Sequence, residues 1–212
     1  MKKMSRKEFL KTMAFYTVSG AGALGGVPFL NHGSAQAADD VSGEYEPSYV
    51  RLHKSGELKE RGERLWAVME KCALCPRQCG VDRLSGAEGF CGSSAQLEIS
   101  SFHPHTGEEE ALTGPVGSGT VYFANCNLRC VFCLNWKANM EGQGHNVRVR
   151  NLVEMMFYLQ EKGCSNINLV TPTHYSAHIV KAVDQAAAKG LRIPLVYNTS
   201  GWERVEILKE LD

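Results

Sequence analysis

The stretch TVYFANCNLRCVFC, residues 120–133, passes without a break from β-branched and aromatic residues into three cysteines, Cys126, Cys130 and Cys133, spaced C-x3-C-x2-C. Its first part, Thr120–Ala124, reads as a β-strand. The three thiols are one short of the common arrangements, because a structural zinc site takes four ligands, a four-iron cluster four thiolates and disulfides an even number. The loop leaves one position open.

From the loop onward the apolar spacing alternates between two periods. Residues 152, 155, 156 and 159 recur on one helical face of Asn151–Lys162, NINLVTP (166–172) reads as a strand, and His178–Lys189 is again helical with Gly190 closing its end. RIPLVYN (192–198) makes a third strand before a helical finish over Trp202–Leu211. Strand and helix in strict alternation predict an α/β fold with parallel pairing and right-handed crossovers. Chemistry in such sheets gathers at the carboxyl ends of the strands. The cysteine loop, Thr171-Pro172-Thr173-His174 and Asn198-Thr199-Ser200-Gly201 occupy those three ends.

Upstream, CALCPRQCGVDRLSGAEGFCG places Cys72, Cys75, Cys79 and Cys91 in a knob, residues 72–92, punctuated by Pro76, Gly80, Gly86, Gly89 and Gly92. So little apolar content cannot hold a shape without a cross-link. Zinc, an accessory iron–sulfur cluster and disulfides all satisfy the count. Residues 39–71 read as a polar linker followed by a short amphipathic helix carrying Leu58, Leu65, Trp66 and Met69. Cys164, alone after a helical pattern, reads as a buried packing thiol.

The N-terminus has a different character. Five Lys/Arg and one Glu fall within the first 11 residues, an uncharged, glycine-diluted stretch follows, and Ala35-Gln36-Ala37 offers a cleavage site. Residues 1–38 are therefore expected to be a signal or uncleaved anchor, and SRKEFLK is similar to a twin-arginine export signal with Arg6-Lys7 in the arginine positions. GAGALG in this stretch has no preceding strand and is an accident of composition. Over all 212 residues the charge balances to zero, which speaks against a nucleic-acid partner and leaves membrane contact to the N-terminal segment alone.

The cysteine spacing after the first strand of a βα series resembles the radical S-adenosylmethionine (radical SAM) enzymes. The wider pattern CALCPRQCGVDR…GFCG…GSGTVYFANCNLRCVFCLN…NINLVTPTHY…IPLVYNTSGW is similar to their pyruvate formate-lyase activating enzyme-like branch, over Tyr49–Asp212. The resemblance implies that residues 114–212 are the N-terminal half of a partial (βα)6 TIM-like barrel, with three βα units present. It implies a [4Fe–4S] cluster on Cys126, Cys130 and Cys133, whose fourth iron is chelated by the amino and carboxylate groups of S-adenosylmethionine. Phe132 takes the aromatic position that contacts adenine, or is simply a half-buried loop aromatic. Thr171, Thr173 and His174 stand where the superfamily binds the cofactor's amino group, although no GGE motif occurs there, and His174 can equally be a structural hydrogen-bonding residue. Asn198, Thr199 and Ser200 fill the matching end of the third strand, with a plain polar turn as the alternative. Leu134 replaces a glutamine common in this branch.

The implied reaction is reductive cleavage of S-adenosylmethionine to a 5′-deoxyadenosyl radical that abstracts hydrogen from a substrate. The implied partners are an electron donor such as flavodoxin or ferredoxin and, in an activase-like role, a glycine of a partner protein. An iron–sulfur electron-transfer module and a zinc-bound structural module are the competing classes. The relatives continue into further strands, so residues 1–212 are expected to be a partial product. The N-terminal segment points to export or inner-membrane anchoring, whereas S-adenosylmethionine and strong reductants belong to the cytoplasm. HPH (103–105) and EEE (108–110) read as solvated polar runs.

Overall fold

The computed structural model describes residues 46–212, so the expected signal, GAGALG and the start of the linker lie outside the described residues. The chain opens with two short helices, α1 (Ser48–Ser55) and α2 (Glu57–Ala67), in place of the single amphipathic helix expected. Gly56 separates them at φ 83°, a left-handed conformation that ends α1 and that glycine adopts without a Cβ penalty. Leu58 and Leu65 are buried, and Met69 lies just beyond the helix, also buried.

The cysteine-rich segment follows without regular secondary structure. Five strands then form one sheet: β1 (Leu97–His105), β2 (Ser118–Phe123), β3 (His145–Val147), β4 (Ile167–Val170) and β5 (Leu195–Asn198), in the order β3-β1-β2-β4-β5. Between them lie α3 (Glu110–Thr113), α4 (Trp136–Asn139), α5 (Val149–Glu161), α6 (Ser176–Ala188) and α7 (Val205–Leu211). The strands β2, β4 and β5 are parallel, as their helical crossovers require, with Val121 opposite Leu169 and Leu169 opposite Tyr197.

Purely parallel pairing is corrected by β1 and β3, which run antiparallel to their neighbours and make the sheet mixed. The HPH run is part of β1, with His103 exposed and Pro104 and His105 half-buried. A bulge between Ile99 and Ser101 breaks the alternation of β1, which hid the strand from a period-two reading. Ile99 lies in the core, Phe102 packs edge-on against Tyr158 of α5 at 5.6 Å, and His103 stacks on Tyr122 at 5.6 Å.

Strand parity divides the two faces of the sheet. Val121, Phe123, Ile167 and Leu169 join one core with Leu65, Leu152, Met156, Leu159, Ala182 and Ala186 from the helices. Cys164 is part of this core, 3% exposed. Each buried Val, Leu, Ile, Phe or Met side chain contributes about 1.5–3 kcal/mol. Gly62 lets α2 approach α6 closely, since a Cβ there would sit 3.1 Å from Lys181 Cγ. The alternate residues Thr120, Tyr122 and Asn168 are polar, and Asn168 donates to Glu108 Oε1 at 3.0 Å. Among the described residues no helix is long and apolar enough to cross a membrane.

Candidate active site

Strand β2 ends at Phe123, and within three residues the chain reaches Cys126. Asn125 makes that turn in the left-handed region at φ 69°, where asparagine is tolerated better than most residues. Its amide donates to the Ala138 carbonyl at 2.8 Å and its Nδ2 to Glu98 Oε2 at 2.6 Å. Its Oδ1 packs so closely on Gly142 that a Cβ there would stand 2.8 Å away. The entry to the loop is thereby fixed from β1, from α4 and from the segment after α4.

The loop presents its sulfurs to hydrogen-bond donors. The Leu128 amide donates to Cys126 Sγ at 3.4 Å, and Asn139 Nδ2, from α4, donates to Cys133 Sγ at 3.3 Å. Such bonds orient the two sulfurs. Cys126 is buried, while Cys130 and Cys133 are half-buried. All three are free thiols. Between and beyond them Val131, Phe132 and Leu134 are 86%, 82% and 100% exposed, an apolar tip that lacks a partner within the described chain. Among the described residues no three His, Cys, Asp or Glu side chains are already drawn together around a common point. The fit to an iron–sulfur cluster rests on the donor set, three soft thiols on one short loop with N–H groups directed at two of them.

The end of β4 stands beside this loop, and the end of β5 lies next to that of β4. Thr171 takes φ 61° and its amide donates to the Asn198 carbonyl at 3.1 Å, tying the two strand ends together. Thr173 and Thr199 both donate their hydroxyls to Oε1 of Glu203. The other oxygen, Glu203 Oε2, is buried without a hydrogen-bond partner. Sequence reading missed Glu203, because nothing in TSGWER marks it as different from a surface carboxylate. Burial, reinforced by the nearby Glu203 carboxylate, pushes the Tyr197 phenol well above its ordinary value. Asn198 and Ser200 are exposed.

His174 occupies a different setting. Its ring is 1% exposed and its Nε2 donates to the Ala124 carbonyl at 2.9 Å, so it reaches the cysteine loop through the backbone. Burial pushes its pKa down to about 3, and the ring is neutral. Its own carbonyl accepts from Nη1 of Arg83 at 2.7 Å. Arg83, another residue missed in the sequence, is fully buried and also donates to the Ser94 carbonyl through Nε (3.0 Å) and Nη2 (2.6 Å).

The four upstream cysteines are free as well, with Cys72, Cys75 and Cys91 buried and Cys79 exposed. Burial pushes the Cys72 and Cys75 thiols up. The knob touches the site directly: Arg77 Nε donates to the Asn127 carbonyl at 3.2 Å, and Arg129 Nη1 to the Cys91 carbonyl at 3.4 Å. The Arg77 guanidinium lies 3.7 Å from the Phe90 ring centre and 4.8 Å from that of Trp202, which follows β5. A groove lined by Ser101, His103, Tyr122, Trp136 and Lys137 runs along the other side of the loop.

No solved structure matches the chain. An uncharacterized protein of Methanocaldococcus jannaschii is 29% identical over 147 residues, a match that covers 66% of this chain and 41% of that protein. The chain thus spans less than half the length of this curated relative. Residues 120–212, from β2 through the cysteine loop to the end of α7, match the family model of the Radical SAM superfamily. Residues 120–212 are thus a domain of the radical SAM superfamily.

Proposed function

We propose that the chain acts as a radical SAM enzyme of the pyruvate formate-lyase activating enzyme-like kind, with Cys126, Cys130 and Cys133 holding a [4Fe–4S] cluster and S-adenosylmethionine bound across the carboxyl ends of β2, β4 and β5. The observation that carries this reading is the C-x3-C-x2-C loop at the end of a central parallel strand, inside the segment that matches the superfamily. When bound, the cluster and S-adenosylmethionine supply a one-electron reductive cleavage that yields a 5′-deoxyadenosyl radical for hydrogen abstraction.

The chain's own residues bind, orient and exclude water. Leu128 N–H and Asn139 Nδ2 hold the sulfurs of Cys126 and Cys133 in position. Thr171, Thr199 and Ser200 offer hydroxyls near the strand ends for the cofactor's polar groups, and Glu203 orients Thr173 and Thr199 through its shared oxygen. Phe132 is the group offered to the adenine, and its exposed ring becomes covered when it stacks. A partial-barrel arrangement, an external one-electron donor and a protein glycine as hydrogen source complete the reading.

Anaerobic reconstitution with iron and sulfide, followed by electron paramagnetic resonance with and without S-adenosylmethionine, tests it. We expect a reduced-cluster signal that changes shape on adding S-adenosylmethionine and that disappears in Cys130→Ser. A cofactor-sensitive signal surviving in Cys130→Ser, or no iron bound by the wild-type chain, overturns the assignment.

A further inference from the structure

We propose that Cys72, Cys75, Cys79 and Cys91 form a second metal centre, an all-thiolate site for a thiophilic ion or an iron–sulfur cluster, whose filling fixes the Cys126–Cys133 loop in place. The backbone of the knob already folds around these residues. Cys72 N–H donates to the Val81 carbonyl at 2.9 Å and Gly80 N–H returns a bond to the Cys72 carbonyl at 3.0 Å. Gln78 N–H closes a turn onto the Cys75 carbonyl at 3.0 Å, and Gly92 N–H closes another onto Gly89 at 2.9 Å.

The sulfurs adjoin. A Cβ on Gly89 would stand 3.0 Å from Cys79 Sγ and 3.6 Å from Cys91 Sγ, so the absence of a side chain there lets the backbone lie against both. The Cys72, Cys79 and Cys91 sulfurs lie within electrostatic reach of Cys75, while the amides of Leu74 and Arg77 face the sulfurs of Cys72 and Cys75 respectively. Among the described residues the thiols do not meet at one point, so the proposed centre requires them to turn inward as it fills.

Charge supplies an independent argument. Arg83 is fully buried, and among the described residues it has no carboxylate partner; its guanidinium meets the Ser94 and His174 carbonyls and the Cys72 sulfur. A buried cation demands compensating negative charge. A centre with four thiolates around a divalent ion or an iron–sulfur core carries net negative charge beside that guanidinium, and its assembly releases the thiol protons. A knob of neutral thiols would leave Arg83 uncompensated.

The same residues connect the knob to the other cysteine loop. Arg77 reaches Asn127, Arg129 reaches Cys91 and also Met140 at 3.2 Å, and Gly92 packs on Asn125, with a Cβ there only 3.3 Å from its Oδ1. A cross-linked knob is a rigid wall behind Cys126; an uncross-linked one is not.

The test uses the full chain with Cys126, Cys130 and Cys133 all replaced by serine, purified anaerobically and offered either zinc alone or iron with sulfide. We expect about one zinc or about four irons retained per chain, lost on further replacement of Cys72 and Cys75 by serine. In the chain with Cys126, Cys130 and Cys133 intact, Cys72→Ser with Cys75→Ser should speed hydrogen exchange of amides 124–140 about tenfold, read by mass spectrometry. A folded triple-serine chain that retains neither zinc nor iron overturns the second centre, and exchange unchanged by the knob variant overturns its hold on the loop. Failure of the radical SAM reading shows instead in the wild-type resonance spectrum, which the metal content of the triple-serine chain does not touch.

Discussion

His174 Nε2 donates to the Ala124 carbonyl at 2.9 Å, joining the turn after β4 to the residue two positions ahead of Cys126. Because the His174 carbonyl itself accepts from Arg83 at 2.7 Å, three separate segments meet at this residue: the knob, the end of β4 and the start of the cysteine loop. The imidazole serves here as a neutral strut. His178, in the first turn of α6, does the same for the segment just after the knob, donating to the Ala95 carbonyl at 2.8 Å.

This pair makes stability depend on pH. Burial holds His174 at about 3 and His178 at about 4, both below the unfolded value near 6.5. A depressed histidine contributes stability that is complete above the unfolded pKa and is lost as pH falls toward the folded values. Denaturant melts should therefore weaken between about pH 6 and pH 4 by roughly 1.4 kcal/mol per pH unit for each histidine. His174→Gln should halve the proton uptake on unfolding at pH 5; an unchanged uptake would contradict the neutral strut.

Arg83→Met removes a buried guanidinium and strands the carbonyls of Ser94 and His174. The expected loss is about 3–5 kcal/mol in urea unfolding, far more than a surface arginine costs. Arg83→Lys should rescue only part of it, since one ammonium cannot span both carbonyls as the planar fork does.

Gly142→Ala tests how tightly the loop entry is fitted. Gly142 sits at φ 64°, and an added Cβ would stand 2.8 Å from Asn125 Oδ1. Backbone strain and the clash together should cost about 1–3 kcal/mol and raise the iron:protein loss rate during reconstitution. Gly190→Ala, at φ 100° with open space around it, carries the strain alone and should leave iron retention unchanged.

Asn139→Leu should weaken cluster retention without unfolding the chain. Its Nδ2 is directed at Cys133 Sγ at 3.3 Å, and leucine keeps the bulk but not the donor. Iron held at the Cys126–Cys133 loop after gel filtration should fall several-fold, whereas Cys164→Ser, deep in the core, should lower the melting temperature with that iron preserved. Equal iron loss in both variants would mean that general destabilisation, not the sulfur-directed bond, is responsible.

Much of the fold was legible because local pattern and tertiary role coincide. Residues 152, 156 and 159 are buried at the spacing read from the sequence, and β2, β4 and β5 pair in parallel because each is followed by a helix that must cross back. The cysteine groups declared themselves by donor type and spacing. β1 did not: its bulge shifts the alternation midway, so LEISSFHPH looks like a polar run until Ile99 and Phe102 are seen packed against the helices.

The sequence by itself determined the chemistry on offer and the strand ends where it would gather, since thiol spacing and apolar periodicity are properties of neighbouring residues. Only the tertiary structure decided that Arg83, Glu203 and His174 matter, because their burial and these contacts join segments 30 to 91 positions apart in the chain. An arginine among glycines carries no local mark of being inside; the desolvation that makes it consequential exists once the chain has closed around it.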